Sequence, residues 1–390
     1  MRRICNTTLY RVTVYRSFMD GDKEMRGFSE AIITPGMDEE ELTNVLGSAY
    51  SAAAHVKNPT FALYEGHKEE EVIPDQARFM YDSASMKQAV ADMTAALFAA
   101  DTREDSFLNS AELFIVRNRV HIQNSTGTDV AYTLCDCNGE FVVQCKEPKD
   151  VEQYVHFSYD FPDTRSLTQK VADALETVCD RANASQAPKS GNYDVVLYGE
   201  HLRTIMSLYM DRANASMVYP GYSDYKPGTK VQGEDVTGEK LNMTLVPSEP
   251  YSYDGIPMKE LPLIKDGELT RIYGGTRFCR YLGIEPTGYY RKLRLAPGST
   301  PFDQLTRGCL YPVVFSDFQM DAYTGYFGGE IRLAYLYHED GTYEILTGGS
   351  INGSLLDKHQ NLTFSKESYH DASYEGPFAV RIPGVAIAGI

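Results

Sequence analysis

Apolar and polar positions alternate with period two over residues 8–16, break at Asp20-Gly21 and resume over residues 27–34, as expected of two strands joined by a tight turn. Pro35-Gly36 ends this pattern. Asp38 stands as a helix N-cap, acids follow in the first turn, and Leu42, Val45, Leu46, Ala49, Ala53 and Val56 recur at helical spacing. The acidic run 38–41 is therefore read as a helix start, not as a metal site. Residues 57–81 are polar and irregular, with a solvated charge run at 67–71. A second helix is predicted over residues 84–100, with Met86, Val90, Met93, Leu97 and Ala100 on one face. Period two then returns over residues 113–122, 131–135 and 140–145. Asn124-Ser125-Thr126-Gly127 links the first two of these strands, and Asn138-Gly139 is read as a hairpin turn between the last two. A helix over residues 164–181 turns Leu167, Val171, Ala174, Leu175 and Val178 inward.

Residues 184–192 are small, polar and contain Pro and Gly, so they pack poorly; they set a boundary between a domain of residues 1–186 and one of residues 192–390. A short buried strand (193–198) and a helix (200–214) follow, the helix placing Leu202, Ile205, Met206, Tyr209 and Ala213 on a core face. A long irregular segment runs to residue 253. Apolar runs 261–264 and 269–273 flank Lys265-Asp266-Gly267-Glu268, where Asp-Gly supplies the positive φ of a hairpin turn. Further strands are predicted at 291–295, at 330–337 and at 342–347, the last two joined across Glu339-Asp340-Gly341. The apolar tail 378–390 is broken by Pro383-Gly384. The fold class is α+β, with a β-rich second domain.

At 390 residues the chain suits two domains, and 43% hydrophobic with 23% charged residues is an ordinary globular composition. Lys and Arg number 37 against 54 Asp and Glu, a formal charge of −17 that repels a polyanion, and no basic patch offsets it. Direct nucleic-acid binding is not expected. The first residues, 1–6, are basic but lead into a polar stretch without the apolar core of a signal peptide, and no window approaches the roughly 20 apolar residues of a membrane span. The expectation is a cytoplasmic protein. The seven cysteines show no CxxC spacing, and the one cluster, Cys135-x-Cys137 with Cys145, reads as reduced, packed thiols.

Asp254-Gly255-x-Pro257, Ile264-x-Asp266-Gly267-x-Leu269, Thr276-Arg277 and Leu282-Gly283, in this order, resemble the C-terminal domain of the TldD/PmbA family. The strand ending in Asn124-Ser125-Thr126-Gly127 resembles part of that family's N-terminal domain. The likeness runs from about Thr8 to Ile390, with an N-terminal domain shorter at its start than is usual. This family was once named for modulation of DNA gyrase and is now regarded as metalloprotease-related. The resemblance implies the two-domain fold, a cleft between subunits fed by short or unfolded peptides, and a role in proteolysis or peptide maturation. Within the family, metal-bearing TldD-type subunits pair with PmbA (TldE)-type subunits that lack the ligands.

Zinc peptidases place two histidines on one helical face, with a glutamate to activate the metal-bound water. The chain contains neither HExxH nor HExxxH, the variant of the family's catalytic members. Matching strand 193–198 and the helix after it to those members puts Ser207, Leu208 and Arg212 at the positions of the first His, the Glu and the second His, and an arginine cannot ligate a cation. Those members also carry a cysteine near the C-terminus, whereas no cysteine follows Cys309. The resemblance thus implies a PmbA/TldE-like chain with no metal of its own, zinc only in a TldD-like partner, and a dimer with that partner or with itself.

His201 reads as a cap or surface residue and the remaining histidines as scattered, with His359 and His370 a remote polar pair. Tyr219, Tyr222, Tyr225, Tyr251 and Tyr253 gather around the irregular segment, where they either line a groove for an extended peptide or anchor loops. Gly348-Gly349-Ser350 reads as a turn in preference to a set of amides offered to a peptide. The apolar runs of 253–290 and 380–390 suggest more apolar surface than one small β-domain needs, and hence an interface. Two rival functions remain open at this point. One is a metallopeptidase using His201 and a carboxylate from the 219–235 loop; the other is a stand-alone peptide-binding protein.

Overall fold

The computed structural model describes residues 3–389, and the chain divides into two compact units, Met1–Leu63 and Tyr64–Ile390. Met1, Arg2 and Ile390, the ends of the basic start and of the apolar tail, lie outside the described residues.

In the first unit, strands β1 (Tyr10–Asp20) and β2 (Lys23–Ile33) pair antiparallel from Tyr10↔Ile33 to Asp20↔Lys23, and Gly21 takes the positive φ of 61° in the turn. Helix α1 (Glu39–Ala53) starts on a capping box. The Asp38 side chain accepts from the Glu41 amide at 2.9 Å and the Glu41 carboxylate accepts from the Asp38 amide at 3.1 Å, so the acidic run is a helix start. Ala49 and Ala53 are its buried residues. A Cβ on Gly27 of β2 would lie 1.8 Å from the Ala53 carbonyl oxygen, so glycine is what lets the helix lie this close to the strand.

The second unit opens with α2 (Ser83–Ala99), β3 (Ser106–Gln123), β4 (Asp129–Cys145), β5 (Val151–Tyr159) and α3 (Thr164–Asn183). The three strands form one antiparallel sheet in the order β3-β4-β5, and α2 and α3 pack on it around Met93, Leu97, Phe141, Phe157, Leu167 and Leu175. The expected turn at Asn138-Gly139 is absent: β4 runs straight through it for 17 residues. Gly139 serves a different need there, because a Cβ would stand 2.1 Å from the Glu112 carbonyl of β3 and 2.8 Å from the Phe157 ring of β5. Strand β5 escaped the sequence reading. Cys135, Cys137 and Cys145 fall on one face of β4, buried and unpaired as disulfides, and burial pushes the Cys137 thiol up to about 12.

The remainder comprises β6 (Gly191–Tyr198), α4 (Gly199–Arg212), α5 (Ala215–Val218), β7 (Met243–Val246), β8 (Leu261–Lys265), β9 (Glu268–Leu269), α6 (Thr276–Tyr281), β10 (Lys292–Leu295), α7 (Phe302–Leu305), β11 (Leu310–Met320), β12 (Tyr326–Tyr337), β13 (Tyr343–Leu346), β14 (Ser350–Ser354), β15 (Thr363–Phe364), β16 (Ser368–His370), β17 (Tyr374–Pro377) and β18 (Ala379–Ala388). One sheet runs β16-β17-β10-β7-β8-β9. The other runs β11-β6-β18-β14-β12-β13, and β11 also pairs with β12, so five strands close into a ring. Helix α4 packs on β6, β11 and β18, and its apolar side chains share one core with both sheets. The mixed α+β architecture agrees with the sequence pattern.

The apolar runs expected to form an interface lie inside this core. Val380, Ile382, Val385 and Ile387 of β18, and Ile256, Leu261, Leu263, Ile264 and Leu269 of the 253–290 stretch, are all buried within the chain itself. They supply no surplus apolar surface. The tail is one strand with a register shift between Ile382 and Val385, where Gly384 has φ 62°. The hairpin at Asp266-Gly267 forms as expected, with φ of 51° and 81°, but its second arm is only Glu268–Leu269. No described helix is long and apolar enough to cross a membrane.

Candidate functional site

Helix α4 is more buried than a single apolar stripe would give. Leu202, Ile205, Met206, Tyr209 and Ala213 are buried as the spacing predicts, but so are His201, Leu208 and Met210. The cause is its position between two sheets, which covers the flanks of the helix as well as its core face. Leu208 thus borders no cleft. Ser207 is half-buried and donates its hydroxyl to the Thr204 carbonyl at 2.8 Å, a local bond along the helix.

His201 corrects a second expectation, because it is neither a cap nor a surface residue. Its ring is wedged against Phe315 at 4.8 Å, Phe318 at 5.2 Å and Tyr198 at 5.6 Å between centroids. Its Nδ1 has no hydrogen-bond partner among the described residues, and burial holds its pKa down at about 4 against the weaker pull of Glu200. His359 is likewise buried. It lies parallel to Tyr209, whose hydroxyl is 3.2 Å from His359 Nδ1. Burial lowers its pKa to about 4, with Asp357 opposing and the charge of Arg212 adding to the shift. The buried Gln232 side chain completes this strip, donating to the carbonyls of His359 at 2.8 Å and Glu239 at 3.1 Å and accepting from the Leu241 amide at 2.7 Å. His370 instead meets Asp163 at 3.2 Å, so the two histidines have separate partners.

Arg212 closes α4 and faces a group of loops. One terminal nitrogen donates to the Tyr323 carbonyl at 3.2 Å and the other to Asp224 Oδ1 at 3.1 Å, while the guanidinium carbon lies 5.1 Å from the centre of the Tyr225 ring. Tyr225 is buried, and burial pushes its hydroxyl up to about 12, opposed by the neighbouring Arg212. Tyr323 is presented by an aspartate-centred turn in which Asp321 Oδ1 accepts from the Tyr323 amide at 2.9 Å and Oδ2 from the Thr324 hydroxyl at 2.6 Å.

Two of the five candidate tyrosines, Tyr222 and Tyr225, come together here, and Tyr219 lies against α6. Tyr222 meets Tyr323 edge to face at 5.4 Å, Tyr219 packs on Tyr281 at 4.8 Å and Phe278 at 6.0 Å, and Tyr225 lies beneath Arg212. Tyr253 lies by the start of α6: it stacks on Tyr289 at 5.0 Å, whose ring is so close to Gly275 that a Cβ there would stand 2.3 Å from it. Tyr251 does not belong to the group. It is buried against Tyr132 and His67 and donates to the Glu69 carboxylate. The rings of Tyr219, Tyr222, Tyr253 and Tyr323 are all exposed, Tyr219 against α6 and Tyr222 against Tyr323, whose carbonyl holds Arg212. Phe278, Tyr281, Tyr289 and Tyr323 were missed in the sequence, although the Asp321-x-Tyr323-Thr324-Gly325 turn signature could have marked the last.

The motifs at Asp254, Thr276 and Gly283 hold α6 at its two ends. Asp254 Oδ2 accepts from the amide and hydroxyl of Thr276, both at 2.9 Å. Gly283 has φ 69° just past the helix end, where the Ile284 amide returns to the Cys279 carbonyl at 2.9 Å. Gly348 and Gly349 make a turn, with the Gly348 amide already bonded to the Ile331 carbonyl at 3.1 Å. A separate open cleft of about 440 Å³ lies beside the Asp266-Gly267 turn, lined by Lys230, Glu234, Lys240, Lys265 and Glu268, among others.

A family model described as the PmbA/TldA metallopeptidase C-terminal domain matches residues 190–389, just over half of the chain. The chain belongs to the PmbA/TldD family. No curated protein matches it. Among solved structures it is similar to TldE from Thermococcus kodakarensis, with 14% identity, a TM-score of 0.72 and coverage of 98% of this chain and 97% of the other. It is similar also to candidate modulators of DNA gyrase from Bacteroides thetaiotaomicron (16%, TM-score 0.69, 98% and 93% covered) and Thermotoga maritima (16%, 0.69, 97% and 94%). At such identities these likenesses concern the fold, which extends over nearly the whole chain.

The residues at the positions that the resemblance matches to the zinc ligands of the family's metallopeptidases do not fit the ion. Leu208 is an apolar side chain sealed in the core, Arg212 is a cation already engaged by Asp224, and among the described residues no group of three His, Cys, Asp or Glu side chains is placed to hold a metal ion.

Proposed function

We propose that this protein is a non-catalytic, PmbA/TldE-like subunit of a TldD/TldE-type metalloprotease that acts on short or unfolded peptides, with zinc held only by a TldD-like partner. The observation that carries this reading is the state of α4. In α4, which the resemblance matches to the ligand-bearing helix of catalytic members, Leu208 is fully buried and Arg212 is tied to Asp224 and the Tyr323 carbonyl. The exposed rings of Tyr219, Tyr222, Tyr253 and Tyr323 supply flat, amphipathic surface of the kind that holds an extended peptide. His201 is a poor ligand for the rival metallopeptidase reading, since three aromatic rings enclose it.

The partner is a TldD-like chain with an intact HExxxH or a second copy of this chain, in an interface of more than about 2,000 Å² in total. The test is to purify this chain alone and co-expressed with such a partner, then measure mass by light scattering, bound zinc and peptide cleavage. The expected result is a stable complex whose zinc and peptidase activity both require the partner. Stoichiometric zinc in the isolated chain, lost on His201→Ala, would overturn the reading, as would a monodisperse monomer in both samples.

A further inference from the structure

We infer that Arg212, with Tyr222 and Tyr323 beside it, is an anchor for a carboxylate of the bound peptide, and that Asp224 holds the anchor until the ligand displaces it. This rests on the peptide-binding reading above and assigns the part of the peptide that is gripped.

The Arg212 side chain is only 13% exposed, whereas that of Asp224 is 88% exposed. A cation so far removed from water needs an anion, yet the anion it has is almost wholly solvated and contributes one oxygen at 3.1 Å. With its anion in water, the pair is screened on that side and its partner is easily exchanged. A guanidinium is built to give two parallel hydrogen bonds to one carboxylate, and Arg212 gives Asp224 only one. Its other terminal nitrogen is fixed by the Tyr323 carbonyl and its plane by the Tyr225 ring, so the group is already oriented before any ligand arrives. The exposed rings of Tyr222 and Tyr323 stand next to it, at 58% and 57% exposure, and offer faces for the residue that bears the incoming carboxylate. A formal charge of −17 weighs against a polyanion at this single arginine, while a peptide carries one or a few carboxylates.

The carboxylate has two sources, the peptide C-terminus or an Asp or Glu side chain, and three dye-labelled hexapeptides of alanine and tyrosine separate them. One has a free C-terminus, one a C-terminal amide, and one an amide plus an internal glutamate. Binding is read by fluorescence anisotropy on the full chain. The anchor predicts that one or both acid-bearing peptides bind at least about tenfold tighter than the plain amide, the tighter one naming the source. Asp224→Asn, at an exposed position that does not endanger folding, should tighten acid-bearing peptides several-fold and the plain amide by less. Arg212→Gln should erase the acid preference, and Arg212→Lys should retain part of it, each checked by thermal melting to be folded. Equal affinity for all three peptides, or an acid preference that survives Arg212→Gln, overturns the anchor while leaving the subunit reading standing. Absence of binding by all three, with no complex formed with a TldD-like chain, removes that reading and the anchor with it.

Discussion

Replacing Leu208 by glutamate, the residue a zinc peptidase would need there, tests whether α4 is a core helix or one that opens to a cleft. Leu208 is fully buried in the core between the two sheets. Its removal forfeits about 1.5–3 kcal/mol of apolar burial. A glutamate at that depth must be protonated, and keeping it so at pH 7 against an ordinary pKa near 4.3 costs about 1.36 kcal/mol per unit, roughly 3.7 kcal/mol in all. Its carboxyl group, left without partners, adds about 1–3 kcal/mol. The total, about 6–10 kcal/mol, is comparable to the whole stability of a typical protein, about 5–15 kcal/mol. Leu208→Glu should therefore be insoluble, or soluble with a urea midpoint far below that of the wild type. Leu208→Met, which conserves volume, should lose less than about 1.5 kcal/mol. Because the introduced carboxyl has a raised pKa when folded, its penalty relative to wild type shrinks on acidification, by about 2.7 kcal/mol between pH 7 and pH 5. A soluble Leu208→Glu protein with a wild-type midpoint, unchanged between these pH values, would show that the 208 side chain faces a cleft and would refute the placement of α4 in the core.

Three further outcomes are expected. His201 and His359 have folded pKa values near 4 against an ordinary 6.5, so the unfolded chain takes up their protons first and stability, complete above pH 6.5, falls as the pH drops toward 4. The loss is about 2 kcal/mol for each at pH 5, and His201→Phe, which keeps the aromatic packing, should flatten the urea-midpoint profile by one histidine; an unchanged profile would count against the buried neutral imidazole. Gly139→Ala should destabilise by about 1–3 kcal/mol or more through its clash with the Glu112 carbonyl, and a neutral effect in denaturant titration would contradict a continuous β4. Thiol titration should count one reactive cysteine, Cys5, in the native protein and seven after unfolding, since the other six are buried; rapid reaction of Cys135, Cys137 or Cys145 would refute their packing.

The elements that local chemistry defines were legible in the chain. The β1–β2 hairpin, the capping box of α1, the inward face of α3 and the Asp266-Gly267 turn each depend on residues within a few positions of one another. The identities of Ser207, Leu208 and Arg212, at the positions that the resemblance matches to the family's ligands, are also plain in the sequence, and an arginine cannot ligate a cation. What required the tertiary structure were features set by contacts distant in sequence. Asn138-Gly139 has the chemistry of a turn, but pairing of β4 with β3 and β5 on both sides holds it extended. The apolar runs of 253–290 and 380–390 resembled an interface because the sequence does not reveal that β18 lies between β6 and β14 and that the two sheets share one core. His201 has the composition of a surface residue and the surroundings of a core one, since Phe315 and Phe318 arrive from more than a hundred residues away. Arg212 could be recognised from the sequence as a residue that cannot bind metal. Its role as a held, oriented cation comes from Asp224, Tyr225 and Tyr323, which meet only because the turn at Asp321 and the loop after α5 are folded against the end of α4.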